Sequence, residues 1–203
     1  MKLGGVILAA GLSSRMGSFK PLIEIEGRSM IKRVVDMMRW AGAETIVIVT
    51  GYRREDLEAH LADENVEFAY NAEYSSSQQL DSLKIGLAAL EGHFSKIIMS
   101  PVDIPMVNQK TVRKLAEKEG DFIRPVYEGR AGHPVFIKGD WIPYIMEYDG
   151  PRGLRGAIES NENIIVHNIE VSDEGVLLDN DTQEDLKYLF QFIDMSKSQY
   201  ISY

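Results

Sequence analysis

The sequence has no cysteine among its 203 residues. That excludes disulfides, thiolate catalysis and thiolate-bound metal, and fits a reducing compartment. It also lacks any run approaching 18 apolar residues, so neither a membrane span nor a secretory leader is expected and a cytoplasmic location is. The four histidines (His60, His93, His133, His167) are scattered, which leaves no recognisable zinc spacing. Positive charge is scarce, with 22 Lys and Arg against 31 Asp and Glu, a net charge of −9. Such a surface disfavours nucleic acid and anionic membrane as partners. It would also repel a nucleotide, so any phosphate site must be locally cationic or use a divalent metal. No internal repeat, coiled coil or low-complexity linker interrupts the chain. With 44% hydrophobic and 26% charged residues, it reads as one domain over residues 1–194 with a tail at 195–203.

Hydrophobic patterning gives strands alternating with helices. The branched runs Leu3–Ala10, Thr45–Thr50, Val66–Tyr70 and Phe94–Ser100 predict buried strands, with Leu22–Ile25 as a short extended piece. Helices are expected after Ser29 (Met30, Ile31, Val34, Val35, Met38), over 54–62, along Leu80, Leu83, Leu87 and Leu90, and from Asn108 to about Lys118. The second half is less regular. Strands are expected at Phe122–Val126, His133–Ile137 and Ile164–Ile169, with helical pieces near 140–147 and 153–160 and a last helix from Thr182. This order predicts an α/β fold with a mostly parallel sheet covered on both faces.

Residues 3–21 carry the strongest chemical signal. A buried strand runs into a loop with Gly11, Gly17, Ser13, Ser14, Arg15 and Lys20, closed by Pro21. Glycines let backbone N–H groups converge on an anion, Arg15 can fork two phosphate oxygens, and Lys20 is a mobile point charge. The spacing matches neither the Walker loop nor the dinucleotide fingerprint. An ordinary surface loop with two solvated cations is the plainer alternative.

Asp103 lies just beyond a strand and between Pro101 and Pro105. It suits a Mg²⁺ ligand, or equally a turn or cap at the strand exit. Asp179 and Asp181 form a second acidic pair before the last helix, where Asp181 is also placed to cap it. His133, in Gly132-His133-Pro134, can serve a substrate or a loop carbonyl.

These residues together resemble the MobA-like nucleotidyltransferases, in particular the molybdenum cofactor cytidylyltransferase branch that matures molybdenum hydroxylases. The resemblance rests on Leu8-Ala9-Ala10-Gly11-Leu12-Ser13-Ser14-Arg15-Met16-Gly17 with Lys20-Pro21, then Asn71 with Tyr74, then Ser82 to Leu87. Pro101 to Pro105, Gly132 to Val135 and Asp179 to Leu186 follow in order. It implies a three-layer, Rossmann-like nucleotidyltransferase fold with a mostly parallel mixed sheet. It also implies Mg²⁺-dependent transfer of a nucleotidyl group, CMP from CTP favoured, to molybdopterin with release of pyrophosphate.

Arg15 and Lys20 would then hold phosphates and act with Asp103 in catalysis. Asp103 and Asp181, less so Asp179, would bind the metal. Leu8, Ala9, Ala10, Gly11, Ser13, Ser14, Asn71 and Ser82 would line the nucleotide, and Gly132 and His133 the acceptor. Ala9-Ala10-Gly11 is the form associated with cytidine enzymes. The departures fall at Gln78-Gln79, Asp81 and Pro151. A sugar phosphate or another phosphoalcohol is the alternative acceptor, and a non-catalytic molybdenum cofactor chaperone for a hydroxylase is the alternative from another class.

Overall fold

A computed structural model describes residues 2–12, 19–180 and 182–200, with side chains up to residue 194. Strand β1 (Leu3–Ala9) is buried at every position, as its unbroken apolar run requires. Lys20–Leu22 forms a 3-10 turn started by Pro21, whose fixed φ suits a helical first position. The extended piece expected at 22–25 is therefore shorter: β2 (Glu24–Ile25) pairs antiparallel with β3 (Arg28–Ser29). The first half continues with α1 (Met30–Ala41), β4 (Thr45–Thr50), α2 (Arg54–His60), β5 (Glu67–Tyr70) and α3 (Gln79–Ala89). Next come β6 (Lys96–Pro101) and α4 (Gln109–Ala116). The second half holds β7 (Phe122–Tyr127), β8 (Arg130–Ala131) and β9 (Val135–Lys138), then α5 (Ile142–Glu147), α6 (Gly153–Glu159), β10 (Val166–Glu170) and α7 (Gln183–Tyr200). β9 starts two residues later than the pattern suggests, beyond Pro134, which has no N–H to give a ladder.

The main sheet runs β10-β7-β9-β6-β1-β4-β5, with β8 added on β7. β1 is parallel to both β4 and β6, β4 to β5, and β7 to β10, while β9 is antiparallel to its neighbours β6 and β7. The fold is thus a mixed, largely parallel α/β sheet between helical layers.

Alternation along β1 divides the core. Ile7 packs with α1 and α4 residues such as Val34, Met38, Val112 and Leu115, whereas Val6 and Leu8 face Leu80, Leu83 and Leu87 of α3. Burying a side chain such as Leu83 contributes roughly 1.5–3 kcal/mol. Gly86 lets α3 lie close on the sheet, because a Cβ there would sit 2.5 Å from Val6 Cγ1 and 2.8 Å from Val49 Cγ2. A third cluster docks α7 through Leu189 and Ile193 onto Ile25 and Met30. No helix among the described residues is long and apolar enough to cross a membrane.

The connectivity fixes where a ligand belongs. From β1 the chain builds outward to β4 and β5, then crosses to β6 on the other side of β1. Open α/β sheets bind ligands at such a switch point, beyond the carboxyl ends of the strands. Leu8 pairs in register with Pro101, so β1 and β6 end level with one another.

Candidate active site

The two strand ends deliver Lys20 and Asp103 to one place. Val102 N–H donates to Leu8 O at 3.0 Å, prolonging the β1–β6 pairing into the segment that carries Asp103. Lys20 Nζ then lies 3.3 Å from Asp103 Oδ2, across 83 residues of sequence. Lys20 is buried, at 7% exposure, in an acidic protein, and the carboxylate beside it compensates that buried charge.

The main chain of Asp103 is fastened from behind. Asn180 Nδ2 donates to Asp103 O at 3.0 Å and to Leu178 O at 3.2 Å. Asn180 is fully buried, and its Oδ1 has no hydrogen-bond partner among the described residues. The segment before α7 is thereby tied to the segment after β6.

A cavity of about 250 Å³ opens over this pair. Leu8, Ala9, Ala10, Gly11, Lys20, Ser82 and Asp103, all expected from the sequence as site residues, line it together. Gly51 packs against the cavity-lining Ala10: a Cβ there would stand 2.5 Å from Ala10 O, leaving room for no side chain between the end of β4 and the loop. Asn71 lies just behind the wall. Its amide nitrogen donates to Ser77 Oγ at 2.8 Å and Ser82 Oγ at 2.9 Å, and its Oδ1 accepts Glu73 N–H at 3.0 Å. With those groups engaged and 1% exposure, Asn71 acts through the 71–82 loop that it pins. Ser13, Ser14, Arg15 and Asp181 lie outside the described residues.

A second cavity of about 840 Å³ adjoins the first, and Gln78 and Gln79 line both. The sequence departures at Gln78 and Asp81 have a local cause: Asp81 Oδ2 accepts Gln78 N–H at 2.8 Å in a capping box that starts α3 between the two cavities. Gly132 and His133 line the larger cavity. His133 N–H donates to Val176 O at 2.9 Å, while its ring Nδ1 is buried without a partner among the described residues. Burial pushes the imidazole below its usual 6.5, against the opposing pull of the Asp103 charge, which keeps it neutral near pH 7.

Sequence reasoning missed Gln78 and Gln79 as a junction, and it missed Arg124, Arg152 and Arg155 on the larger cavity. The arginine spacing at 152 and 155 was the available signal, placing two guanidiniums within one helical turn. At the start of α7, Thr182 and Asp185 bond reciprocally. Thr182 N–H and Oγ1 donate to Asp185 Oδ2 at 2.6 and 2.8 Å, and Asp185 N–H donates to Thr182 Oγ1 at 3.2 Å.

Among the described residues no three His, Asp or Glu side chains gather as a metal cluster. What the site offers is one carboxylate, Asp103, at a switch point beside a buried cation. The carboxylate is the oxygen chemistry a hard divalent ion takes, and such ions commonly complete their shell with substrate phosphates and water.

The family model described as MobA-like NTP transferase domain matches residues 5–164. The bifunctional protein GlmU of Cutibacterium acnes is 29% identical over 204 residues, covering 94% of this chain and 48% of its own length. The chain therefore spans about half of that relative. The molybdenum cofactor cytidylyltransferase of Escherichia coli is 26% identical over 183 residues, covering 89% of this chain and 91% of its own. A crystal structure of Rv0371c from Mycobacterium tuberculosis H37Rv superposes with a TM-score of 0.80 at 24% identity, covering 94% of this chain and 99% of that one. A structure of Rv0371c in complex with manganese gives 0.77 at 22% identity, with the same coverage.

Proposed function

This chain belongs to the MobA-like NTP transferase family, and from that premise we propose that it transfers CMP from CTP to molybdopterin, releasing pyrophosphate. The observation that carries the reading is the pair of cavities that share Gln78 and Gln79. One holds Lys20 and Asp103 beyond the ends of β1 and β6, and the other is large enough for a second substrate. The cytidine preference rests on Ala9-Ala10-Gly11, and the acceptor on the full-length similarity to the Escherichia coli cytidylyltransferase. Residues 1–194 would form the single transferase domain.

In this reading the triphosphate lies in the smaller cavity, with Lys20 and Arg15 on its oxygens and the base near Leu8–Gly11 and Ser82. A phosphate oxygen of the acceptor attacks the α-phosphorus. The new P–O bond forms as the bond to the β-phosphate oxygen breaks, and pyrophosphate carries away the electron pair. The nucleophile is already anionic, so no side chain has to act as a strong base. Lys20 meets negative charge as it develops on the leaving group, in a site where burial strengthens the interaction. Asp103, with Asp181, would hold Mg²⁺, which when bound supplies charge neutralisation across the triphosphate. The manganese complex of a protein with the same fold supports a divalent ion here. Neutral His133 and Gly132 would orient the acceptor, and alignment of the two substrates supplies much of the rate.

The test is pyrophosphate release from CTP, GTP, ATP and UTP with Mg²⁺ and molybdopterin. The expected result is release that is fastest with CTP. A preference for GTP would overturn the cytidylyl assignment. Release only with a sugar phosphate or phosphoalcohol would overturn the acceptor, and cofactor binding with no release from any nucleotide would make the protein a chaperone.

A further inference from the structure

The larger cavity carries a charge that the transfer reaction does not explain. Arg124, Arg130, Arg152 and Arg155 line it, and among the described residues Glu159 is its one lining carboxylate. His133 is held neutral by burial and adds no charge. The local sum is about three positive charges, in a chain whose net charge is −9. All four cations are arginines, the side chain whose planar fork grips carboxylate, phosphate and similar oxyanions.

Their internal partners leave that capacity in place. Glu159 is shared by two guanidiniums, 2.6 Å from Arg152 Nη1 and 2.7 Å from Arg155 Nε, so the trio keeps a positive charge. Arg124 donates from Nε to Asn168 Oδ1 at 2.8 Å, a neutral acceptor that compensates no charge. Arg130 makes no side-chain hydrogen bond or ion pair among the described residues, although it also borders an outer groove that Glu128 and Glu174 line. Between the arginines the wall is apolar, with Leu80, Phe122, Ile158 and Val166. Apolar walls lower the local dielectric and strengthen any ion pair formed there.

The reacting phosphate does not account for this. It has to reach the nucleotide's α-phosphorus, and the residues that would hold that nucleotide, Lys20 and Asp103, line the smaller cavity and not this one. We propose that the acceptor bears a second anionic group besides its reacting phosphate, and that Arg124, Arg130, Arg152 and Arg155 bind that group. The proposal rests on the transferase reading, since it takes the larger cavity as the acceptor's.

The test uses two fluorescent pterins without a phosphate, pterin-6-carboxylate and 6-hydroxymethylpterin, titrated into the full chain with saturating CTP and Mg²⁺. CTP occupies the phosphate side, so the charged pterin reports the arginines alone. The carboxylate should bind about tenfold more tightly than the alcohol, the scale of one charge-assisted contact. Arg124→Gln and the double variant Arg152→Gln, Arg155→Gln should remove that preference, while Arg113→Gln, on the exposed face of α4, should not. Equal affinity for the two pterins, no binding of the carboxylate, or a preference that survives in the arginine variants would overturn the proposal. Failure of the transferase reading shows elsewhere, as absence of pyrophosphate release with molybdopterin, and leaves the pterin comparison to be read by itself.

Discussion

The two adjoining cavities are built from different material. The smaller one is framed by the ends of the parallel strands β1 and β6, which are locked in register, and its cation is buried at 7% exposure. The larger one is framed by β7, by β9, which runs against its neighbours, and by the seven-residue helix α6. The Arg152 and Arg155 side chains there are 55% and 70% exposed. On the proposed reading, groups that would meet the same triphosphate in every turnover sit on the part of the sheet that can least move. Groups that would choose an acceptor sit where side chains can rearrange at little cost to the core. Substitutions on the first side should therefore act on turnover, and those on the second on acceptor affinity.

The largest effect is expected from Asp103→Asn, which keeps the shape and removes the charge. Pyrophosphate release should fall on the order of 10³-fold, the scale of losing one preorganised electrostatic group. The urea midpoint should fall by a smaller amount, because buried Lys20 loses the Asp103 countercharge while Asn180 still holds the backbone of residue 103. Unchanged metal-dependent turnover would remove Asp103 from the mechanism. Next in size is Lys20→Met, with a fall of roughly 10²-fold in kcat from lost charge compensation. If Lys20→Met instead raised only the acceptor KM, the division between the two cavities would be wrong.

The contrast also explains what the sequence could disclose. The smaller cavity was legible because its signal is local. Ala9 to Lys20 is one stretch, and Asp103 sits directly after an apolar strand, so the general rule for strand ends brings the two together. The direction of β9 was not legible: the run Val135-Phe136-Ile137 marks a strand but has no feature that sets it against β6. The arginines of the larger cavity were hidden for a related reason. Arg124 is on β7, Arg130 on β8 and Arg152 just before α6, and each alone reads as a solvated surface charge until the fold gathers them. The start of α3 at Gln79 was not legible because Gln78 is a weak cap by itself, and the box it forms depends on Asp81 reaching back.

A smaller effect tests how rigid the first side is. In Gly51→Ala the new Cβ would meet Ala10 O at 2.5 Å and Tyr74 Cβ at 2.6 Å, both close to the chain and unable to swing away. Overpacking of this kind costs roughly 1–3 kcal/mol, measurable by urea unfolding. The displaced Ala10 should also raise KM for CTP while KM for the acceptor holds. A parallel rise in both would show that the two cavities move as one body.

The smallest effect concerns pH and the imidazole of the larger cavity. Burial lowers the pKa of His133 in the folded chain below the usual 6.5, so between those two values the unfolded chain binds more protons than the folded one. Stability then rises with pH across that interval. The His133 contribution is fully present above the unfolded value and is lost as pH falls through the folded one. His60, lowered chiefly by its own burial and further by Lys32, has the same sign. Urea unfolding between pH 7 and pH 5 should show stability declining toward acid, with a shallower decline in His133→Gln and in His60→Gln. Only His133→Gln should also change the acceptor KM, because His133 lines the larger cavity and His60, on α2, lines neither of the two. A His60→Gln variant that altered acceptor binding equally would mean that the larger cavity responds to the whole sheet, and the separation between the two sides would be lost.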